Sequence, residues 1–342
     1  MHYEFYNQLW DFDDDVELYF LHERILEDAY LRIIKAPKTE QRTDKATREF
    51  IRGMKQVWTK RAETGSNEWA RPVVHNYDDS MFERVSDDYT MCWKKTNEAH
   101  DILVIHLTSF AGHEGRLTNS LTNVSSKIIN LDTDLLIVNE DPFRMPESLY
   151  PSYFILGCSS KCNSLSATAD QIKTYIKKEY KNIVIYADSK HAGSGVSLAY
   201  ELADLNPCVL VTGGITTYDW DASPWVKMYL KWFNRPDNLK HQFLSISNIA
   251  VAHFIKSYKF KQMGISERLT NPYKFLDEYN IKVDFYHGKY DFEYIKFKNH
   301  VENLNLKNIN MHEVDYKISD SQTHNIRPYV DRFILSEYIK NL

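Results

Sequence analysis

Three residues, Ser189, Asp291 and His324, stand in the chain in an order that can support nucleophilic catalysis. A serine hydroxyl attacks a carbonyl carbon only when a base takes its proton. The base, usually a histidine, needs an acid to orient it and to offset the charge it gains. Ser189 lies in Ile183-Val184-Ile185-Tyr186-Ala187-Asp188-Ser189-Lys190-His191-Ala192-Gly193-Ser194-Gly195. There an apolar, β-branched run meets a tight turn, and small residues lead into a helical pattern. This is the layout of a nucleophile elbow: the turn lifts the serine oxygen clear of a sheet, and the N-terminus of the following helix favours developing negative charge. The usual pattern is G-x-S-x-G. Here Ala187 and His191 take the glycine positions, the first a mild departure and the second a larger one. A serine-bearing turn in any doubly wound sheet is the plainer reading of the same residues.

The later chain supplies the partners. Val283-Asp284-Phe285-Tyr286-His287 reads as a strand and Gly288-Lys289-Tyr290-Asp291 as the loop beyond it, which makes Asp291 the expected acid. Glu293 is the fallback; Asp284 and His287 lie on the strand itself. Asp320-Ser321-Gln322-Thr323-His324-Asn325 is a polar loop ahead of the last helix, which makes His324 the expected base, with Asp315 and Asp320 also in its reach. An oxyanion needs two backbone N–H groups. The expected donors are Lys190, directly after the serine, and Phe110 or Ala111 in Thr108-Ser109-Phe110-Ala111-Gly112-His113. His113, His191 and Trp220 are candidate substrate contacts; for His191 and Trp220 simple packing is the competing role. Ser194, within Gly-Ser-Gly, reads as a helix start, and His106 as a core histidine.

These residues need elements to hold them. Apolar runs at Ile102–Leu107, Leu135–Val138, Ile183–Tyr186, Cys208–Val211 and Val283–His287, with a sixth over Ile309–Val314, predict buried strands. Helical patterns fall between them, at Ala167–Tyr180 and from about Gly195 to Leu205, and Val330–Ile339 closes the chain. Alternating strands and helices predict an α/β fold with a mainly parallel, α/β-hydrolase-like sheet covered on both faces. The expected domain spans residues 101–342 and carries a helical cap insertion at about 221–276. Residues 1–100 read as a helical extension, with amphipathic helices over Val16–Ile34 and about Thr43–Arg61 and an irregular stretch to about Asn97.

Bulk properties narrow the partners. The 342 residues carry a formal net charge of −5, which offers no electrostatic case for nucleic acid or an anionic membrane. The run from Tyr175 to Lys181 is Lys-rich and reads as a solvated helix face. No secretory signal and no stretch of membrane-spanning length is visible. Four cysteines suit a reducing, cytoplasmic setting; Cys158 and Cys162 have no second pair with which to form a zinc site, so no metal is expected. Assembly as a homo-oligomer stays open.

From about residue 101 the chain resembles the α/β-hydrolase-like enzymes of bacterial surface-polysaccharide biosynthesis, of the serogroup A meningococcal capsule O-acetyltransferase type. The glycan O-acetylating accessory secretion proteins are a more distant resemblance. The shared features are Ser109-Phe110 after an apolar strand, Ser189-Lys190 at the elbow, Gly288-Lys289 with Asp291, and His324-Asn325 before the final helix. The resemblance implies a triad of Ser189, Asp291 and His324, acetyl-CoA as co-substrate, and a polysaccharide or glycan acceptor. An esterase using the same triad without CoA, or an inert binding protein on the same fold, are the alternatives. His191 is the main support for the last.

Overall fold

The structure is a computed structural model and describes residues 82–84, 91–94, 100–107, 128, 130–138, 140, 152–159, 161–233, 248–291, 294–316 and 326–342. The helices expected over 16–34 and 43–61 lie outside these residues, as do Phe110, Ala111, His113 and His324.

Eight strands form one sheet: β1 (Phe82–Arg84), β2 (Met91–Lys94), β3 (Ile102–Leu107), β4 (Asp134–Val138), β5 (Asn182–Ser189), β6 (Cys208–Gly214), β7 (Val283–Gly288) and β8 (Ile309–Val314). Their order is β1-β2-β4-β3-β5-β6-β7-β8. All pairings from β4 to β8 are parallel, while β2 runs antiparallel to β4 and β1 antiparallel to β2. This is the expected α/β-hydrolase-like sheet. The two edge strands fall in a stretch whose sequence reads as irregular; at three and four residues they are too short to show a period-2 pattern.

The longer helices among the described residues are α1 (Leu165–Tyr175), α2 (Ala192–Glu201), α3 (Pro224–Phe233), α4 (Asn248–Gln262), α5 (Ile295–Leu304) and a closing stretch, α6, which runs from Arg327–Tyr329 through a π-helical turn at Val330–Ile334 to Leu335–Lys340. Within residues 221–276 the described chain carries α3 and α4. Several boundaries differ from the sequence reading, two of them near the site or its supports. Helix α2 starts three residues before Gly195. Helix α1 ends at Tyr175 rather than Tyr180, because Ile176 turns to extended backbone. The lysine-rich run is therefore not a helix face. Lys178 pairs with Asp134 at 3.0 Å and the Tyr180 hydroxyl donates to the same carboxylate at 2.6 Å, which ties the segment to the start of β4.

Side chains alternate across each strand. Leu103, Ile105, Ile183, Ile185, Val209 and Val211 bury one face beneath α1 and α2, whose Leu165, Ile172, Val196 and Leu198 join the same cluster. Val104, Val184, Tyr186 and Leu210 bury the other face against Leu335 and Ile339 of α6. Each such Ile or Leu contributes roughly 1.5–3 kcal/mol by leaving water, so β5, apolar on both faces, is firmly anchored at the centre of the sheet.

Candidate active site

Ser189 is the last residue of β5, and its backbone is left-handed, with φ = +50°. A non-glycine residue avoids this region unless its surroundings impose it, and such strain marks functional turns. Three contacts impose it here. The Asp188 carbonyl accepts from the His191 N–H at 2.9 Å and closes the turn. The Ser189 carbonyl accepts from the Ile215 N–H at 2.9 Å. Gly214, itself at φ = +126°, lies so close that a Cβ there would fall 1.8 Å from the Ser189 carbonyl oxygen. The pairing of β5 with β6 slips between Asp188 and Ser189, so Ser189 faces Gly214. Ser189 is partly exposed, whereas Asp188 and Lys190 on either side are buried.

The close packing expected of the elbow glycines is met elsewhere. A Cβ on Gly195 would stand 2.7 Å from the Ala187 Cβ, so Gly195 makes room for the alanine. A Cβ on Gly193 would stand 2.8 Å from the Tyr218 ring. His191 caps the start of α2, and its ring, 3% exposed, meets Phe154 edge-on at 4.8 Å. A side chain fits at that position because it is turned into the protein body, where it packs.

Asp291 is buried just beyond β7, and its Oδ1 accepts from the Tyr294 N–H at 3.0 Å, which fixes the turn into α5. Gly214, His287 and Asp291 line one small cavity, so the expected acid and the backbone that supports Ser189 share a wall. The imidazole of His287 is buried, and burial, more than the nearby Lys298, holds its pKa below the usual value. Asp284 is occupied at the other end of the strand by His312 (2.8 Å), Asn310 and Tyr338. Asp315 is exposed and pairs with Lys289 at 2.7 Å.

The chain re-enters the described residues after His324 at buried Ile326, and Arg327 then reaches the elbow. The Arg327 guanidinium contacts Asp188, the residue before Ser189, at 3.2 Å, and Asp331 at 3.3 Å. Asp331 in turn accepts from the Tyr186 hydroxyl at 2.5 Å. Four buried residues thus lock the start of α6 to the end of β5. Stacked on Tyr186 at 5.1 Å is His106, a core histidine as expected; burial, then Arg327, pushes its pKa well down. On the expected oxyanion side, Leu107 stands level with Ala187, so the chain leaves β3 beside the elbow.

Ser194 is engaged in the helix: its hydroxyl donates to the Tyr153 carbonyl and shares a 3.2 Å contact with the Tyr218 hydroxyl. Tyr218 also donates to the Lys190 carbonyl and stacks on Tyr153 at 4.7 Å. Trp220 packs on Phe254 and Tyr258 at 4.8 and 5.4 Å. Cys158 and Cys162 are both buried. Among the described residues no group of three His, Cys, Asp or Glu could hold a metal, and no helix is long and apolar enough to cross a membrane.

Sequence reasoning missed Gly214, Tyr218 and Arg327. The Gly213-Gly214 pair after a strand was a usable signal for a close backbone approach. Arg327, 138 positions from Ser189 in sequence, carried none.

No family model matches the chain, and no curated protein matches it in sequence. Solved structures similar to it include the capsule O-acetyltransferase of Neisseria meningitidis serogroup A, 11% identical, covering 74% of this chain and 90% of that one with a TM-score of 0.40. An esterase from the archaeon Pyrobaculum calidifontis is 11% identical over 73% of this chain and 77% of its own, with a TM-score of 0.44. An α/β-hydrolase enzyme from the metagenome of Mar Chica lagoon sediments is 13% identical over 76% and 98%, with a TM-score of 0.40. Identities and scores this low bear on neither activity nor substrate.

Proposed function

We propose that the chain is a serine-dependent acyltransferase that moves an acetyl group from acetyl-CoA to a hydroxyl of a bacterial surface polysaccharide or glycan. The observation that carries this reading is the strained Ser189 backbone at the end of β5, held by Gly214 and followed at once by α2. Strain of roughly 1–3 kcal/mol at a partly exposed serine has no packing benefit to explain it.

In this reading His324 takes the proton of Ser189 as the serine oxygen bonds to the thioester carbon. Lys190 and Phe110 or Ala111 donate backbone N–H bonds to the oxyanion, and Asp291 orients the imidazole and stabilises its charged form. The carbon–sulfur bond breaks, and the CoA thiol leaves with the proton from His324. An acceptor hydroxyl then gives its proton to His324 and attacks the acetyl-enzyme; as the serine ester bond breaks, His324 returns that proton to the Ser189 oxygen and the acceptor departs as an ester. His113 and Trp220 are assigned to the acceptor side; His191, also a candidate contact, is assigned to packing.

The test is incubation of the full chain with acetyl-CoA and surface polysaccharides, following free thiol release and acetyl groups retained on polymer. Wild type should transfer, and Ser189→Ala and His324→Ala should not. Cleavage of small acetyl esters with no transfer to any glycan would assign hydrolysis instead; neither activity would refute acyl chemistry.

A further inference from the structure

A second cavity lies beside the cap, with a volume of about 390 Å³. It is bounded by Tyr218, Trp220, Ser257, Phe260 and the acidic residues Asp219 and Asp221. Phe260 gives the wall a buried apolar face, and half-buried Trp220 and exposed Tyr258 extend an aromatic surface beside it.

The charges around the cavity select among ligands. Asp221 is neutralised by Lys261 at 2.9 Å, and Glu267 by Lys274 at 2.7 Å. Asp219 accepts from the Ala222 N–H at 3.0 Å, and among the described residues no cation lies at ion-pair distance from it. A mildly acidic rim repels phosphate, sulfate and uronate groups. Its carboxylates are strong acceptors for hydroxyl donors, and an apolar aromatic wall suits the C–H face of a pyranose. The volume falls at the low end of ligand sites and suits one or two sugar rings.

We propose that this cavity is a subsite for a neutral sugar ring of an oligosaccharide, with Asp219 bonding its hydroxyls and Trp220 packing on its apolar face. Tyr218 lines the cavity and also holds the Lys190 carbonyl, one residue from Ser189, so the subsite borders the elbow. The natural ligand's identity as the acceptor rests on the function proposed above; the binding itself does not.

Binding is therefore measured on full-length Ser189→Ala, which cannot turn over. Saturation-transfer NMR and calorimetry would use neutral mono- to tetrasaccharides of hexoses and N-acetylhexosamines, with glycerol and glucuronate as controls. At least one neutral saccharide should bind, and neither control should. Adding Asp219→Asn should weaken binding about fivefold. Adding Trp220→Leu should weaken it by about tenfold. No saccharide binding, equal binding of the controls, or binding unchanged in both variants would overturn the subsite. If saccharides bind as expected and wild-type Ser189 resists every acylating probe, the subsite stands and the acyltransfer reading falls. The reverse pattern leaves the chemistry and removes the subsite.

Discussion

Replacing Gly214 with alanine tests the geometry that defines the elbow. The new Cβ would stand 1.8 Å from the Ser189 carbonyl oxygen, 2.4 Å from its carbonyl carbon and 2.6 Å from its Cα. Relief requires the two backbones to part by more than about 1 Å, since van der Waals contact begins near 3.4–4 Å. The residue would also keep φ = +126°, a region that L side chains rarely adopt. Backbone strain of roughly 1–3 kcal/mol and overpacking of similar size sum to about 2–6 kcal/mol. For a chain of this length that lowers the melting temperature by about 3–8 °C. Ser189 should suffer more than the fold. A displacement near 1 Å costs an enzyme on the order of 100-fold in rate, so the folded variant should react with a fluorophosphonate at least about 100-fold more slowly than wild type. Circular dichroism on heating and a timed labelling series measure the two effects. A Gly214→Ala protein that melts and labels like wild type would refute the claim that Gly214 holds the strained serine.

Gly195→Ala should destabilise through its 2.7 Å approach to the Ala187 Cβ, and Ala187→Gly in the same chain should restore much of the melting temperature; no rescue contradicts the contact. Arg327→Met leaves Asp188 and Asp331 buried without their shared cation, at a cost of about 3–5 kcal/mol. Adding Asp188→Asn should recover part of it, and an additive result in urea unfolding would speak against the network. His253, bonded to Ser223 at 2.7 Å, is held neutral by burial and then by Lys256, with its pKa pushed down to about 3. The unfolded chain takes up a proton below about 6.5 and the folded chain does not, so stability falls as pH drops through this range. The loss reaches about 2 kcal/mol by pH 5. His253→Gln should flatten the dependence of urea midpoints on pH between 7 and 5, and an unchanged slope counts against it.

The central strands were legible because β3, β5 and β6 are buried on both faces, which forces continuous β-branched runs such as Ile183-Val184-Ile185. Their spacing with helices led to the parallel sheet. Short edge strands escaped notice, because a three-residue strand leaves no pattern. Helix α1 was read too long, since Lys177–Lys181 has helical propensity that its contacts with Asp134 override. The places of Ser189 at the end of β5 and of Asp291 just beyond β7 were readable from local order, since each comes after an apolar run. His191 was puzzling in the sequence because the elbow pattern assumes that the glycines after the serine meet the strand. In the fold, Gly195 and Gly193 take that role, and His191 turns inward onto Phe154. The link from Arg327 to Asp188 joins segments 139 residues apart and exists only in three dimensions.

The most direct test of the central claim is mass-spectrometric mapping of the adduct formed when the full chain reacts with a fluorophosphonate probe. The account predicts one modified peptide, carrying the probe on Ser189, formed in wild type and absent from Ser189→Ala. Modification on Ser194 or elsewhere, or labelling that persists unchanged in Ser189→Ala, would contradict it.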